Sequence, residues 1–299
     1  MKKIVTALLA ATFVAAASAS QTVSVVWPFN IGSTQANYAR ALITEANRMQ
    51  NKYKFVLENK TGAGSSIAAN YVANNREPAI MAATSSFFIR PNFFPTSSHN
   101  IEQFRPLMIQ CAVPMIVVSK KYKTLKDIDP AQRITVGVSG LGTTTHLLTA
   151  ELMKKNPGIQ AVAYNGTMEP IKDVLGGSLD MAVGFPGELK SFIEAGQLNV
   201  VGISGTKALP NMTLLSKQGF EGSQLVVNTH FLNVPKTVPE STVAEWRDIL
   251  SQASKTNLVK DAYAVDDCVD GNTNAANTER WFQQQVQYWQ QVTKGVKID

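Results

Sequence analysis

The sequence has few of the residues that bind metals or build disulfide frameworks. Its 299 residues include two cysteines and three histidines, and none of these shows the spacing of metal ligands, which argues against a zinc site. Two cysteines far apart in sequence do not define a disulfide framework. Cys111 lies in the apolar run from Leu107 to Val118, where a small buried thiol would pack well, whereas export would also permit a bond to Cys268, so both alternatives stay open with the free thiol favoured. We expect no metal and no cofactor.

Long apolar runs and basic runs are also scarce. Beyond the first 19 residues, no apolar run approaches the length of a bilayer span. No basic run or arginine–aromatic cluster points to nucleic acid as a partner. The net charge of +6 falls to +4 without Lys2 and Lys3, since 26 basic and 22 acidic residues then remain. This mild positive excess agrees with an acidic ligand, although the charges are scattered.

The N-terminus has the form of a secretory signal. Lys2 and Lys3 supply the charged start, residues 4–17 the apolar stretch, and residues 17–19 the small-residue cleavage site. No cysteine lies near that site, so a lipid anchor is not expected. The sequence therefore predicts a soluble protein of the bacterial periplasm, whose mature chain is long enough for two domains.

Short β-rich runs alternate with amphipathic helical runs along the mature chain. Such alternation predicts an α/β fold with parallel sheets, whose ligands lie at the carboxyl ends of the strands. A first series ends at residue 83 and is followed by a loop rich in Phe, Pro and Ser up to Asn100. A second series begins after Pro114.

The two series join near residues 110–120 and again near 225–235. We therefore predict two α/β lobes with a central cleft and two hinge crossings, which would permit closure on a ligand. The predicted lobe 1 comprises residues 20–115 and 230–299, and lobe 2 comprises residues 116–229.

Two features of the C-terminal region are predicted to be structural. Asp266, Asp267 and Asp270 lack the full calcium-loop pattern and are expected in a solvated loop. The last helical run, from Asn277 to Lys294, has apolar residues on roughly one face, which predicts docking on the core.

The segment from Ile134 to His146 comes close to two enzyme motifs and matches neither. It runs from a β-branched strand through a glycine turn into a helix, an arrangement that suits an anion. Read as a phosphate loop, it has Thr143 in place of the lysine. Read as a nucleophile elbow around Ser139, it has Leu141 in place of the closing glycine. The loop is therefore expected to hold an anion rather than to react with it.

Four strand-to-helix turns have the character of anion sites: Pro28–Thr34, Thr61–Ser66, Ser139–His146 and Tyr164–Thr167. They combine hydroxyl groups with glycines that let a backbone approach a ligand closely. From these turns and the neighbouring strand ends we predict the ligand-binding residues Phe29, Gly32, Ser33, Thr34, Ala63, Gly64, Ser65, Ser85, Ser139, Thr143, Thr144, His146, Tyr164 and Asp180. Two of them have open roles, because His146 could donate to a carboxylate or make a local structural bond, and Asp180 could orient a ligand or cap a turn.

Taken in order, these turns form a specific set. They carry Pro28, Phe29 and Gly32, then Glu58–Gly64, then Gly140–Thr143 with His146 and Leu147, then Tyr164, Gly166, Asp173, Gly176, Gly177 and Asp180. This set resembles the motifs of the periplasmic receptors of tripartite tricarboxylate transporters, the Bug-type solute-binding proteins. The likeness spans nearly the whole mature chain. It departs from the family pattern at Ile31, Ser33, Ala36 and Ser65.

The resemblance implies a two-lobed periplasmic binding protein of the Venus-flytrap type (type II-like). Such a receptor would capture a small organic carboxylate, hold it on backbone amides of the first two glycine turns, and deliver it to membrane permease subunits. It would be a monomer without enzyme activity. Ala36 stands where the family has an aspartate, so a ligand whose amino or hydroxyl group depends on that aspartate is not expected.

The alternative function is an exported serine hydrolase. It would use Ser139 as nucleophile and His146 as base, with an acid such as Asp180. This alternative rests on a serine and a histidine near one strand end, in a motif without its closing glycine. The two functions differ in whether the serine and histidine lie within hydrogen-bond reach of each other.

Overall fold

Two five-stranded sheets organise the chain in the computed structural model, which describes residues 20–129, 131–268 and 271–297. The predicted signal sequence, residues 1–19, lies outside the described residues. The strands are β1 Gln21–Trp27, β2 Tyr53–Asn59, β3 Ala79–Thr84, β4 Phe104–Val113, β5 Ile116–Ser119, β6 Ile134–Val138, β7 Ile159–Ala163, β8 Met181–Gly184, β9 Asn199–Ile203 and β10 Asn228–Pro235. The helices are α1 Ala36–Met49, α2 Ser66–Asn74, α3 Ser86–Phe93, α4 Thr144–Met153, α5 Met168–Gly176, α6 Pro186–Glu194, α7 Glu240–Ala253, α8 Asn257–Ala264 and α9 Ala275–Thr293.

Both sheets are mixed, whereas the sequence predicted parallel sheets. The first has the strand order β2-β1-β3-β10-β4, and the second has the order β7-β6-β8-β5-β9. In each sheet the strand that enters from the other lobe, β10 or β5, runs antiparallel to both of its neighbours. The prediction was wrong for these strands because no β-α-β crossover sets their direction. The two-lobed α/β fold itself is confirmed.

The chain passes between the sheets twice. It leaves the first sheet after β4 and enters β5 through Pro114 and Met115, and it returns before β10. At the crossings, the backbone N–H of Ser204 donates to the carbonyl of Met115, and the backbone N–H of Met115 donates to the Ser204 hydroxyl. The lobe boundaries stay a prediction, although strand pairing already includes Asn228 in the first sheet.

The central strands of the first sheet are covered on both faces. Every residue of β3 and of β10 is buried, as expected for strands with packed elements on both sides. Helix α9 places Phe282 and Trp289 in the core, which confirms the predicted docking of the last helix. Among the described residues, no helix combines the length and apolar character needed to cross a membrane.

Helix α3 occupies part of the segment that the sequence predicted as a loop. The prediction followed the Phe, Pro and Ser content, and the helix contains Pro91. Proline lacks the N–H that would bond to the carbonyl four residues earlier. That carbonyl belongs to Phe87, and it is bonded to His99 Nε2 at 2.9 Å instead. A histidine 12 positions away in sequence thus satisfies the carbonyl that the proline leaves free.

The region after α8 differs from the prediction in two ways. Cys111 of β4 forms a disulfide with Cys268, with Cα atoms 5.4 Å apart, so the less favoured of the two alternatives for these cysteines is the correct one. Asp266 is fully buried rather than solvated. The physical reason is the same for both, since the segment packs against β4 and α1 rather than projecting into water. Asp270 lies outside the described residues.

Candidate binding cleft

The cleft lies between the two sheets and contains two adjoining cavities that share Phe29 and Ser139. The inner cavity has a volume of about 20 Å³ and the outer cavity about 270 Å³. The inner cavity is lined by Trp27, Phe29, Asn30, Ser33, Gln35, Thr84, Ser86, Ser139, Thr144, Gly166, Thr167, Phe185, Asn228 and His230. The outer cavity is lined by Phe29, Gly62, Ala63, Gly64, Arg90, Ser139, Gly140, Leu141, Ala163, Tyr164 and Asn165.

Sheet topology explains why these residues meet. Parallel strands β1, β3, β6 and β8 end at the cleft, as open α/β sheets place their ligands. Strand β10 runs antiparallel to β3, so its amino end lies at the same edge, with His230 opposite Thr84. Asn228 and His230 therefore reach the inner cavity although they belong to no strand-to-helix turn.

Hydrogen bonds cross the cleft and hold its two walls together. They join Asn30 Nδ2 to Glu169 Oε1 (2.9 Å), Arg90 Nη1 to the Leu141 carbonyl (2.6 Å), Thr144 Oγ1 to Asn228 Oδ1 (3.1 Å), and Gly187 N to Asp266 Oδ1 (2.5 Å). Each bond pairs a residue on the side of the first sheet with one on the side of the second. The two walls of the cleft are therefore in direct contact in this structure.

The turn before α2 supplies one wall of the outer cavity. Ala63 and Ser65 adopt positive φ angles of 47° and 85°, which non-glycine residues rarely do. Gly64, with φ of 53°, packs so closely that a Cβ there would lie 2.8 Å from Arg90 Cδ and 2.9 Å from the Leu141 carbonyl oxygen. Strained backbone of this kind is concentrated at functional sites. Helix α2 begins directly after this turn, at Ser66, so its positive end lies close to this wall of the cavity.

Arg90 is the charged residue of the outer cavity. Its side chain extends from α3, it is only 9% exposed, and its guanidinium lies 4.1 Å from the centre of the Phe94 ring. In the described part of the chain it forms no ion pair, and its Nε has no hydrogen-bond partner. Burial lowers the pKa of Arg90, and the Arg90 charge contributes, after burial, to lowering the pKa of His146 to about 4. A buried cation without a counter-charge is costly, so the site favours an anion.

A chain of hydroxyl groups shapes the turn before α4. The Thr145 hydroxyl lies 2.9 Å from both the Ser139 and Thr143 hydroxyl oxygens, and it accepts a bond from the Ser139 backbone N–H. Thr143 also donates to the Gly140 carbonyl at 2.7 Å. These bonds fix the turn in place. Of these hydroxyl-bearing residues, Ser139 is the one that lines both cavities.

Three carboxyl groups lie behind the wall of the inner cavity. Asn30 donates to Glu169, Gln35 donates to Asp266, and Thr167 donates to Glu188, so each group is one hydrogen bond from the cavity. Burial raises the pKa of Asp266, and burial together with the Asp266 charge raises the pKa of Glu188 to about 8. No metal-binding group of three His, Cys, Asp or Glu side chains occurs in the ranges that the structure describes.

The structure brings about half of the predicted binding residues to the cleft. Phe29, Ser33, Ala63, Gly64, Ser139, Thr144 and Tyr164 line it. Those that do not line it are Gly32, Thr34, Ser65, Ser85, Thr143, His146 and Asp180. Two of these bond beside the lining residues: the Ser85 hydroxyl accepts from the N–H of Thr229, which lies between the lining residues Asn228 and His230, and Gly32 N donates to Asn30 Oδ1.

The residues of the hydrolase alternative are separated. The Ser139 hydroxyl is bonded to Thr145, and His146 Nδ1 accepts from the Gly142 backbone N–H at 3.0 Å. Asp180 precedes β8, at the strand end opposite to the cleft, and accepts from the backbone and hydroxyl of Thr135, both at 2.9 Å. The described structure contains no hydrogen bond between Ser139 and His146. His146 and Asp180 therefore have local structural bonds.

The sequence prediction missed Arg90, Asn228 and His230. Arg90 was missed because its helix was predicted as a loop. Its position between apolar residues and a proline could still have marked it as a candidate binding residue. Asn228 and His230 were missed because the prediction considered only strand-to-helix turns. An antiparallel strand at the return crossing places its beginning at the binding edge, and only the sheet order reveals this.

The fold and the cleft define a class: a two-lobed solute-binding protein of the Venus-flytrap type. The model of the tripartite tricarboxylate transporter family receptor matches residues 39–298. The chain therefore belongs to that receptor family, which confirms the resemblance seen in the sequence.

Solved structures agree on the fold. The periplasmic binding protein BugD superposes with a TM-score of 0.84 at 22% identity, covering 93% of this chain and 98% of that one. Rpa4515 of R. palustris, solved with adipate, gives 0.81 at 20% identity, with 92% and 96% covered. MatC from Rhodopseudomonas palustris, with bound malate, gives 0.80 at 19% identity, with 91% and 98% covered. At these identities the likeness establishes the fold.

Proposed function

We propose that the cleft binds a small organic carboxylate, and that the exported protein delivers it to membrane permease subunits as a monomeric receptor. One observation carries the proposal: Arg90 is the charged side chain lining the two cavities, and within the described ranges no Asp or Glu lines either. The strained turn at Ala63–Ser65 adds a helix N-terminus to the same cavity. Family membership and the adipate-bound and malate-bound relatives support this choice of ligand class.

Replacing Arg90 by glutamine is expected to weaken carboxylate binding about 10- to 100-fold, because a hydrogen bond to a charged group contributes roughly 1.5–3 kcal/mol. Arg90→Lys keeps the charge and loses the planar guanidinium, so we expect a smaller loss. Titration calorimetry with adipate and malate measures the dissociation constants. The matched control is Arg76→Gln, since Arg76 is exposed in the turn between α2 and β3. Equal affinities in the Arg90 and Arg76 variants would contradict the assignment.

Binding without chemistry is the second part of the proposal. Because Ser139 and His146 bond to different partners, we expect the purified protein and Ser139→Ala to hydrolyse an activated ester at the same background rate. The measurement is a spectrophotometric ester assay. Turnover that Ser139→Ala abolishes would favour the hydrolase instead.

A further inference from the structure

One of the hydrogen bonds across the cleft lies outside both cavities. The backbone N–H of Gly187, in the first turn of α6, donates to Asp266 Oδ1 at 2.5 Å. Gly187 belongs to the lobe of the second sheet, whereas Asp266 packs against α1 in the lobe of the first. Each of the other three bonds across the cleft includes a residue that lines a cavity, but neither Gly187 nor Asp266 does. This bond therefore joins the lobes without forming part of the lining.

The Asp266 carboxylate caps a helix of the opposite lobe. Asp266 is fully buried, and Gln35 Nε2 at 3.1 Å and the Tyr38 hydroxyl also donate to it. The Gly187 N–H is one of the first N–H groups of α6, which lack partners within the helix and lie at its positive end. A bond from such a group to a buried carboxylate is stronger than one between neutral groups in water. Burial together with the Asp266 charge raises the pKa of the neighbouring Glu188 to about 8, so Glu188 is mostly neutral at pH 7 and does not oppose this charge.

The segment that carries Asp266 is fixed to the end of β4. On one side of Asp266, Cys268 forms the disulfide with Cys111. Further along, Asn272 exchanges two backbone hydrogen bonds with Ile109, at 2.8 and 2.9 Å. Strand β4 leads directly into the first crossing between the lobes. The position of the carboxylate is therefore set by the lobe of the first sheet and does not depend on a ligand.

Gly187 fits this contact because it has no side chain. A Cβ there would lie 2.8 Å from Asp266 Oδ1 and 3.0 Å from the Val265 carbonyl oxygen, and the anchored segment has little freedom to move away. The backbone of Gly187 is not in the left-handed region, and alanine is a better helix former than glycine. An alanine at this position would therefore oppose the contact between the lobes without opposing the formation of α6.

We propose that Asp266 is a latch for the closed cleft: by capping α6 from the opposite lobe, it stabilises the closed state and raises ligand affinity without touching the ligand. The latch rests on the proposed function in one respect, since closure affects affinity only if the cleft binds a ligand. The apparent affinity of a ligand is scaled by the fraction of the protein in the state that binds it. Loss of the latch therefore weakens all ligands of the cleft by the same factor, whereas loss of a lining residue changes the preference among them.

The Gly187→Ala variant tests the latch, with titration calorimetry of malate, adipate and succinate as probes. We expect every acid that binds the unmodified protein to bind this variant about tenfold more weakly, with one common factor. The matched control is Gly176→Ala in α5, where a Cβ would meet no atom of the described residues within 4 Å, and its affinities should equal those of the unmodified protein. Circular dichroism melting reports whether each variant is folded. Unchanged affinities in folded Gly187→Ala would overturn the latch.

A double variant assigns the effect to the bond between the two residues. Asp266→Ala alone is expected to weaken binding to a similar degree, and Gly187→Ala/Asp266→Ala little more than the larger single loss, because both substitutions disrupt one contact. Losses that multiply in the double variant would count against the latch. If Asp266→Ala does not fold, the comparison of Gly187→Ala with Gly176→Ala decides.

A measurement without ligand separates the latch from the proposed function. If none of the three acids binds the unmodified protein, the proposed function fails for these ligands, and small-angle X-ray scattering of the ligand-free proteins then decides the latch. Because the bond needs no ligand, Gly187→Ala should have a larger radius of gyration than both the unmodified protein and Gly176→Ala. Equal radii in all three proteins would then overturn the latch.

Discussion

Removing the disulfide between Cys111 and Cys268 is expected to lower the free energy of unfolding by about 4–5 kcal/mol. The two cysteines are 157 residues apart, and closing so long a loop removes much of the entropy of the unfolded chain. For a mature chain of about 280 residues, whose unfolding entropy is about 2.1 cal/mol/K per residue, the loss corresponds to a fall in Tm of roughly 7–9 °C. Calorimetry of the Cys111→Ala/Cys268→Ala double variant measures it.

Reduced wild-type protein is the matched control, because it lacks the bond but keeps both side chains. We expect its Tm to fall to near that of the double variant. Equal Tm values for oxidised wild type, reduced wild type and the double variant would contradict a stabilising disulfide. The double variant should also bind carboxylates more weakly, since Cys268 fixes the segment from which Asp266 accepts the Gly187 N–H across the cleft.

The stability of the protein is expected to pass through a maximum near pH 6.5. Below that pH, three buried histidines decide the slope, because burial lowers the pKa of His99 and His146 to about 4 and that of His230 to about 3. Their unfolded forms take up protons from pH 6.5 downward while the folded forms do not. Their contribution to stability is therefore complete above pH 6.5 and is lost as the pH falls to about 4.

Buried carboxyl groups act in the opposite direction. The pKa of Glu188 is raised to about 8 and that of Asp266 is also raised, so the folded protein binds these protons at a higher pH than the unfolded chain. These carboxyl groups therefore make stability rise as the pH falls from 8 to 6.5. Below about pH 6, the histidine protons bound by the unfolded chain outnumber the carboxyl protons bound by the folded protein, which are at most two, so stability falls as the pH drops further.

Urea unfolding at half-unit intervals from pH 5 to pH 9 measures this profile. The control variant is Glu188→Gln, which removes one of the two raised carboxyl groups and should reduce the rise between pH 8 and 6.5. The acid side should keep its steep fall in this variant, because the histidines are unchanged. A profile that is flat from pH 5 to 6.5 would contradict neutral buried histidines.

Much of the local structure was predictable because it depends on neighbours in sequence. Helix α2, Ser66–Asn74, and strand β6, Ile134–Val138, belong to the alternation of helices and strands that the sequence predicted. Apolar periodicity and glycine stops mark such elements within one window of residues. Helix α3 was not predictable in this way, since its proline is tolerated through His99, which lies beyond the helix.

The site was predictable in part for the same reason. Glycine turns such as Gly62–Gly64 reveal themselves by local composition, and the structure places them at the outer cavity. Asp180 was assigned to the ligand from its motif position, but strand direction places it at the opposite end of β8. A motif states which residues occur together in sequence, and the direction of the strand decides which end of the sheet they reach.

The alternation of strands and helices and the receptor family follow from the sequence alone, because each is encoded in short windows or in an ordered set of motifs. Three other features follow from the three-dimensional fold: Arg90 has no counter-charge among the described residues, His230 reaches the cleft, and Cys111 pairs with Cys268. These features depend on strand order and on contacts between residues far apart in the chain. The burial of a side chain and its pairing with another residue arise from such contacts, so no local sequence pattern could reveal them.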